Sequence, residues 1–312
     1  MPESNPKSKT PNPKSNSFAV IGAGAVGAAL ARRLVQQGYA VEAVISRNAA
    51  TARRLAKEVG AAVASGVVDD LPASVQAVCC CVPDDALEAV AGDLARLPRT
   101  WTGCTLLHTS GVRTAAVFAV LGERGAATLS FHPVQAFTRQ SPPDAFDGIY
   151  IGLEGTAKGV AFGTRLATGM GGHAVEITAQ EKPRYHLAAV LASNGLVTLI
   201  AMAGELLAGA GLDRMQGVAL LQPLVEGTLR NLQGRLPEDV LTGPVARGDA
   251  ATLTAHLEAL GATMPHLVPV YVALSNETVR VAVRGGRLTE AEAQQLLDIL
   301  HAALRVDGAP LF

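Results

Sequence analysis

The stretch 17–38, SFAVIGAGAVGAALARRLVQQG, constrains the fold of this chain more than any other. Phe18, Ala19, Val20 and Ile21 form a short apolar run of the kind that is buried on both faces of a parallel sheet. Gly22, Gly24 and Gly27 follow at once, and a helical pattern begins within the same residues. In such a turn the first glycine permits the tight bend, the second lets backbone approach a pyrophosphate, and the third brings helix against strand. The helix then directs its free N–H groups and the positive end of its dipole at the phosphates. Leu30 and Leu34 continue the inward face, Arg32 and Arg33 begin the outward one, and Gly38 ends the helix. A lone GxGxxG says little, but strand, glycines and helix in that order predict a dinucleotide site. Gly22, Gly24, Ala25, Val26 and Gly27 are its expected contacts.

Further strands are expected at 39–45, 76–82, 104–108, 127–131, 148–153 and 173–177, with helices between them. The alternation implies an α/β fold with a doubly wound, mostly parallel sheet. Val82 and Pro83 close one of these strands and are further expected cofactor contacts. Asp84-Asp85 after them is expected to cap the helix at 86–97. From Thr178 the strand signals stop. Residues 182–210 read as one long apolar helix with Pro183 in its first turn, and shorter helical segments follow to the C-terminus. Three regions result: a disordered tail at 1–16 without an apolar run, a dinucleotide-binding domain at 17–178, and an all-helical domain at 179–312. A cleft is expected between the two folded domains.

A length of 312 residues accommodates two cores, and the 17% of charged residues suits a compact globular protein. The net charge of −1, with no basic block beyond the N-terminus, argues against a nucleic-acid partner. Four cysteines without a secretory signal suggest the reducing cytoplasm. Cys79, Cys80 and Cys81 are consecutive in a strand, so their side chains alternate between faces and cannot gather round one metal. They read as small buried hydrophobes, and no metal site is expected. Residues 187–204 carry no formal charge and have the length of a membrane span. Ser193-Asn194-Gly195 at the middle is a poor lipid-facing centre, whereas a helix apolar on most sides suits the core of a helical domain. No membrane partner is expected.

Ser46-Arg47-Asn48 ends the second strand, where the adenosine ribose of a bound dinucleotide lies. An acid there would accept bonds from a free 2′-hydroxyl and repel a 2′-phosphate. Ser46 and Arg47 instead offer a hydroxyl and a guanidinium, both suited to phosphate, which favours NADP over NAD.

Across its folded length the chain resembles a known family, through GAGAVG, VISRN, CVPDDAL, LHTSG, SFHPVQAF, EKPRYH, LASN, LQPLVEGTL and LTGPVARGD. These segments are similar to Rossmann-like proteins whose C-terminal half is a domain of unknown function. The wider group includes pyrroline-5-carboxylate reductases, ketopantoate reductases, prephenate dehydrogenases and deazaflavin-dependent NADP reductases. The resemblance implies a helical second domain of the 6-phosphogluconate dehydrogenase type, and supplies no substrate. His132-Pro133 is similar to the HP motif of prephenate dehydrogenases, whose histidine touches the substrate oxygen that changes oxidation state; Ser110 falls near their active-site serine. The chain departs from them at Val134-Gln135-Ala136, which argues against prephenate itself. A structural histidine bonded to backbone is the alternative for His132.

Lys182 and His186 are spaced i, i+4 and share a helix face, with Asn194 about 80° round from His186 on a 3.6-residue helix. In several relatives a polar group on this helix reaches the cleft, so Lys182 or His186 is expected to supply a proton and Asn194 to orient the substrate. Otherwise Lys182 is solvated and His186 packs at the domain seam. Thr242 and Arg247, in the polar loop 242–249, are the expected contacts to an anionic substrate; Asp249 is the alternative partner of Arg247. The reading that follows is an NADP-dependent oxidoreductase for a small keto, imino or hydroxy acid bound between the domains. A non-catalytic NADP-binding sensor is its rival. Helical domains of this family type bury apolar faces in dimers, and the long apolar helix points to a homodimer through the C-terminal half.

Overall fold

The computed structural model describes residues 16–306, so the tail expected at 1–16 lies outside the described residues but for Asn16. Strand β1 (Ser17–Ile21) turns through glycines into α1 (Ala25–Gln36), and β2 (Ala40–Ile45) is followed by α2 (Ala49–Val59). A short β3 (Val63–Ser65), absent from the expected strands, precedes β4 (Ala77–Cys80) and α3 (Leu87–Arg96). Its three residues are too few to show an alternation. Next come β5 (Thr105–His108), α4 (Ala119–Glu123), β6 (Ala127–Pro133), β7 (Tyr150–Gly155), α5 (Ala157–Gly169) and β8 (His173–Glu176).

The eight strands form one sheet in the order β3-β2-β1-β4-β5-β6-β7-β8. Every neighbouring pair is parallel except β6 and β7, which run antiparallel. Alternation along β1 sends Phe18 and Val20 into one core with Leu30, Leu34 and Phe131, and Ala19 and Ile21 into another with Leu87, Leu94 and Trp101. Both faces are thus covered, as the apolar runs require.

By internal contacts the chain forms two units, Met1–Ser193 and Asn194–Phe312. Residues 179–193, which open the expected helical domain, group with the sheet because Lys182, Tyr185 and His186 pack on β6 and its neighbours. The helix Lys182–Gly209 consists of α6 (Lys182–Val190), a π-helical stretch at Leu191–Gly195, and α7 (Leu196–Gly209). In the second unit follow α8 (Arg214–Asn231), α9 (Pro237–Val240), α10 (Ala250–Thr263), α11 (Val268–Arg284) and α12 (Glu290–Val306). Leu253, Leu260, Val272, Val279, Leu296 and Leu300, from α10 to α12, make its core.

Three expectations need correction. The helix 182–209 is the one described helix long and apolar enough to cross a membrane, but it is not a core helix: Leu187, Leu191, Val197 and Leu199 are exposed. Arg33 does not face outward; it is buried, bonded through Nε to the Met170 carbonyl at 3.1 Å and paired with Asp147. Neither Asp84 nor Asp85 caps α3, because a turn intervenes and Ala86 takes the N-cap position.

Candidate active site

The glycine turn has the geometry its spacing demands. Gly22 has φ +101°, and a Cβ there would lie 2.3 Å from the Cys81 carbonyl oxygen. At Gly27 a Cβ would lie 1.9 Å from the Gly22 carbonyl oxygen, so helix and turn touch through backbone. Gly24 differs, since a Cβ would meet nothing within 4 Å. Its open side belongs to a cavity of about 590 Å³ lined by Gly22, Gly24, Ser46, Arg47, Val82 and Pro83, among others. Gly24 is also the N-cap of α1, with no capping side chain and no acid in the first turn, so that helix end is free to receive an anion. Ala25 and Val26 begin α1 and do not line the cavity.

Of the three residues after β2, Asn48 is committed to structure, accepting from the Thr51 N–H at 3.0 Å as the N-cap of α2. Arg47 has no ion pair or side-chain hydrogen bond among the described residues, which leaves its guanidinium available to a ligand in the cavity. Arg96 lines the same cavity and is paired with Asp93. The residues present fit a dinucleotide. Cys79, Cys80 and Cys104 are buried, and burial pushes the Cys104 thiol up to about 11.

The second cluster forms where β5, β6 and β7 lie side by side. Register pairs His108 with Ser130 and Ser130 with Glu154, and the next step along β6 pairs His132 with Gly152. Side chains two apart on a strand share a face and are spaced by about 6.8 Å; residues four apart on a helix are spaced by about 6 Å. The near match lets α6 set Lys182 against Ser130, and Tyr185 and His186 against His132. Lys182 is almost fully buried, at 2% exposure, with Nζ donating to Ser130 Oγ at 2.7 Å and to the Ser110 carbonyl at 3.4 Å. Burial lowers its pKa, opposed by the nearby charges of Glu154 and Asp84.

His132 Nδ1 lies 3.0 Å from the Tyr185 hydroxyl, and its ring packs edge-on against those of Tyr185 and His186. Burial, reinforced by Lys182 and His186, brings His132 down to about 4, so the ring is neutral at pH 7. Gly111 makes room for the histidines: a Cβ there would lie 2.3 Å from His186 Nδ1 and 2.8 Å from His132 Nε2. Gly152 does the same for Tyr185, whose hydroxyl would lie 2.5 Å from a Cβ.

Lys182, His186, His132 and Ser110 are therefore brought together, all within the first unit. Ser110 contributes its carbonyl to Lys182, while its hydroxyl accepts from the Arg113 and Val112 N–H groups. Asn194 opens the second unit. The π-helical stretch 191–195 breaks the 3.6-residue spacing, and Asn194 is exposed, its carbonyl accepting from Thr198 Oγ1 at 3.0 Å. Thr242 and Arg247 belong to the second unit, where Arg247 is exposed 3.9 Å from Asp249. Ser130, Tyr185, Gly111 and Asp84 were missed as site residues. Ser130 was readable, because strand alternation places it on the same face as His132.

The Rossmann-like domain family matches residues 2–133, and the family described as Domain of unknown function (DUF2520) matches residues 149–278. The chain is a Rossmann-like protein with a DUF2520 domain. A Bacteroides fragilis protein provisionally described as an NADP oxidoreductase is similar to this DUF2520 protein at 25% identity, with a TM-score of 0.72 over 85% of this chain and 98% of the other. A Thermotoga maritima protein has 26% identity and a TM-score of 0.68, over 87% of this chain and 100% of its own. An imine reductase from Myxococcus stipitatus, solved with NADP+, shares the fold at 20% identity and a TM-score of 0.53, over 93% and 94% of the two chains. No curated protein matches the sequence. The DUF2520 protein thus has the build of the Rossmann oxidoreductases.

Proposed function

We propose that this DUF2520 protein is an NADP-dependent oxidoreductase acting on a small keto, imino or hydroxy acid at the C-terminal ends of β5 and β6. The observation that carries the reading is a vacant-sided glycine turn and a Lys–Ser–His–Tyr–His cluster at strand ends of one sheet, buried at Lys182 and Ser130 and half-buried at the three rings. Strand C-terminal ends form the ligand crevice of such sheets.

When bound, NADP(H) supplies the hydride chemistry. Gly22, Gly24 and the free N-terminus of α1 hold the pyrophosphate, and Ser46 and Arg47 recognise the 2′-phosphate. His132 and His186 place hydrogen-bonding nitrogens where a substrate heteroatom gains or loses its proton. Lys182 acts through Ser130, fixing β6 and laying a positive charge behind the site that favours negative charge developing on the substrate. The exposed apolar residues of α7 and α8, Val197, Leu199, Met215, Leu220 and Leu224, support a homodimer through the helical half.

NADPH oxidation followed against a panel of keto and imino acids tests the reading. Turnover with at least one member is expected. Uniform inactivity despite tight NADPH binding would overturn it in favour of the non-catalytic sensor.

A further inference from the structure

The ammonium of Lys182 is buried, yet the groups it bonds, Ser130 Oγ at 2.7 Å and the Ser110 carbonyl at 3.4 Å, are both neutral. A buried cation is costly unless an anion faces it. The ionisable groups around it are His108 on β5, His132 on β6, Glu154 on β7, Asp84 after β4, and Tyr185 and His186 on its own helix. Glu181, next to it in the chain, is exposed and bonded to Thr178. Burial holds His108 and His132 down to about 4 and pushes the Tyr185 phenol up to about 12, so all three are neutral at pH 7. The two carboxylates are left to offset the charge.

Glu154 and Asp84 are not equivalent. Register sets Glu154 directly across from Ser130, and opposed residues of an antiparallel pair share a face, with Cβ atoms about 4.5–5.5 Å apart. Glu154 Oε2 accepts from the Ala115 N–H at 2.7 Å, which fixes the carboxylate on the side of the sheet where Lys182 meets Ser130. Asp84, whose charge also bears on Lys182, has no hydrogen bond or ion pair among the described residues. The Ala115 bond has a second effect. Lys182 holds the segment 110–115 at the Ser110 carbonyl and Glu154 holds it at Ala115, so the stretch that carries Gly111 against His132 and His186 is pinned at both ends.

We infer that Glu154 is a positioning residue acting through Lys182: it is the fixed counter-charge of the buried ammonium and the anchor of the segment 110–115. Its part in turnover rests on the oxidoreductase reading, whereas the charge pairing does not. Glutamine at 154 separates the two functions, because its amide oxygen can still accept from the Ala115 N–H while the charge is gone. Removing an anion disfavours the ammonium, so Lys182 should then lose its proton at lower pH.

Lysine ¹³Cε shifts of the labelled, full-length protein follow Lys182 through its titration. Glu154→Gln should lower the Lys182 midpoint by about one pH unit, leave the urea midpoint little changed, and move the alkaline limb of kcat down by the same amount. Glu154→Ala should in addition lower kcat at least about tenfold below that limb, since it releases the segment 110–115, with NADPH affinity within about twofold. Asp84→Asn should move the Lys182 midpoint by less than Glu154→Gln does. An unchanged midpoint in Glu154→Gln would overturn the inference. So would a drop of about one unit or more in Asp84→Asn, which decides the matter even if the Glu154 variants fail to fold. An inactive wild type showing the expected Lys182 shifts would count against the oxidoreductase reading alone.

Discussion

Gly111→Ala tests whether the two histidines are held where the site needs them. The backbone of Gly111 is not in the left-handed region, so alanine adds a steric demand without torsional strain. Its methyl would sit 2.3 Å from His186 Nδ1 and 2.8 Å from His132 Nε2. Ordinary contact begins at 3.4 Å, so His186 must retreat by about 1.1 Å. Both neighbours are ring atoms of side chains, and tilting a ring is cheaper than moving backbone. The loss of stability should therefore fall at the low end of overpacking costs, about 1 kcal/mol. The effect on catalysis should be larger, because a misplacement of about 1 Å can cost roughly 100-fold. Urea unfolding, NADPH calorimetry and turnover with a substrate from the panel separate the two effects. Turnover equal to wild type in a folded variant that binds NADPH would refute the reasoning.

Gly24→Ala should fold normally yet bind NADPH at least about tenfold more weakly, because its methyl enters the open side of the turn; Gly27→Ala should fail to fold, its methyl meeting backbone at 1.9 Å. Circular dichroism with calorimetry distinguishes these outcomes, and unimpaired NADPH binding by Gly24→Ala would contradict the first. Arg47→Ala should lose most of a preference for NADPH over NADH, about 1.5–3 kcal/mol for a charge-assisted bond, and equal affinities in the wild type would refute that. His108 and His132 are both lowered from 6.5 to about 4, chiefly by burial. Their contribution to stability is complete above pH 6.5 and is lost as pH falls towards 4, because the unfolded chain takes up the protons first. Unfolding at pH 5 should therefore take up about two protons, one on each ring, checked by the pH dependence of the urea midpoint.

The glycine turn was readable because each of its constraints is local: a tight bend, an open side and a close contact lie within six residues. The same holds for Lys182 and His186, whose spacing alone puts them on one helix face. Tyr185 was not readable, because its role depends on Gly152, a residue brought to it by an antiparallel pairing that no short-range pattern shows. Ser130 and Glu154 are likewise neighbours only through strand register. Burial of Arg33 depends on two segments more than a hundred residues away, Asp147 before β7 and the Met170 carbonyl after α5. The π-helical stretch at 191–195 departs from the 3.6-residue spacing, and a hydrophobic pattern does not reveal such an insertion.

Isotope tracing tests the proposed hydride transfer beside His132 most directly. NADPH carrying deuterium at the transferable nicotinamide position would be incubated with the wild-type protein and the keto and imino acid panel, and the products weighed by mass spectrometry. The predicted result is one deuterium carried into the reduced product of at least one acid, and its loss in His132→Gln at unchanged NADPH affinity. Tight NADPH binding with no deuterium in any product would contradict it.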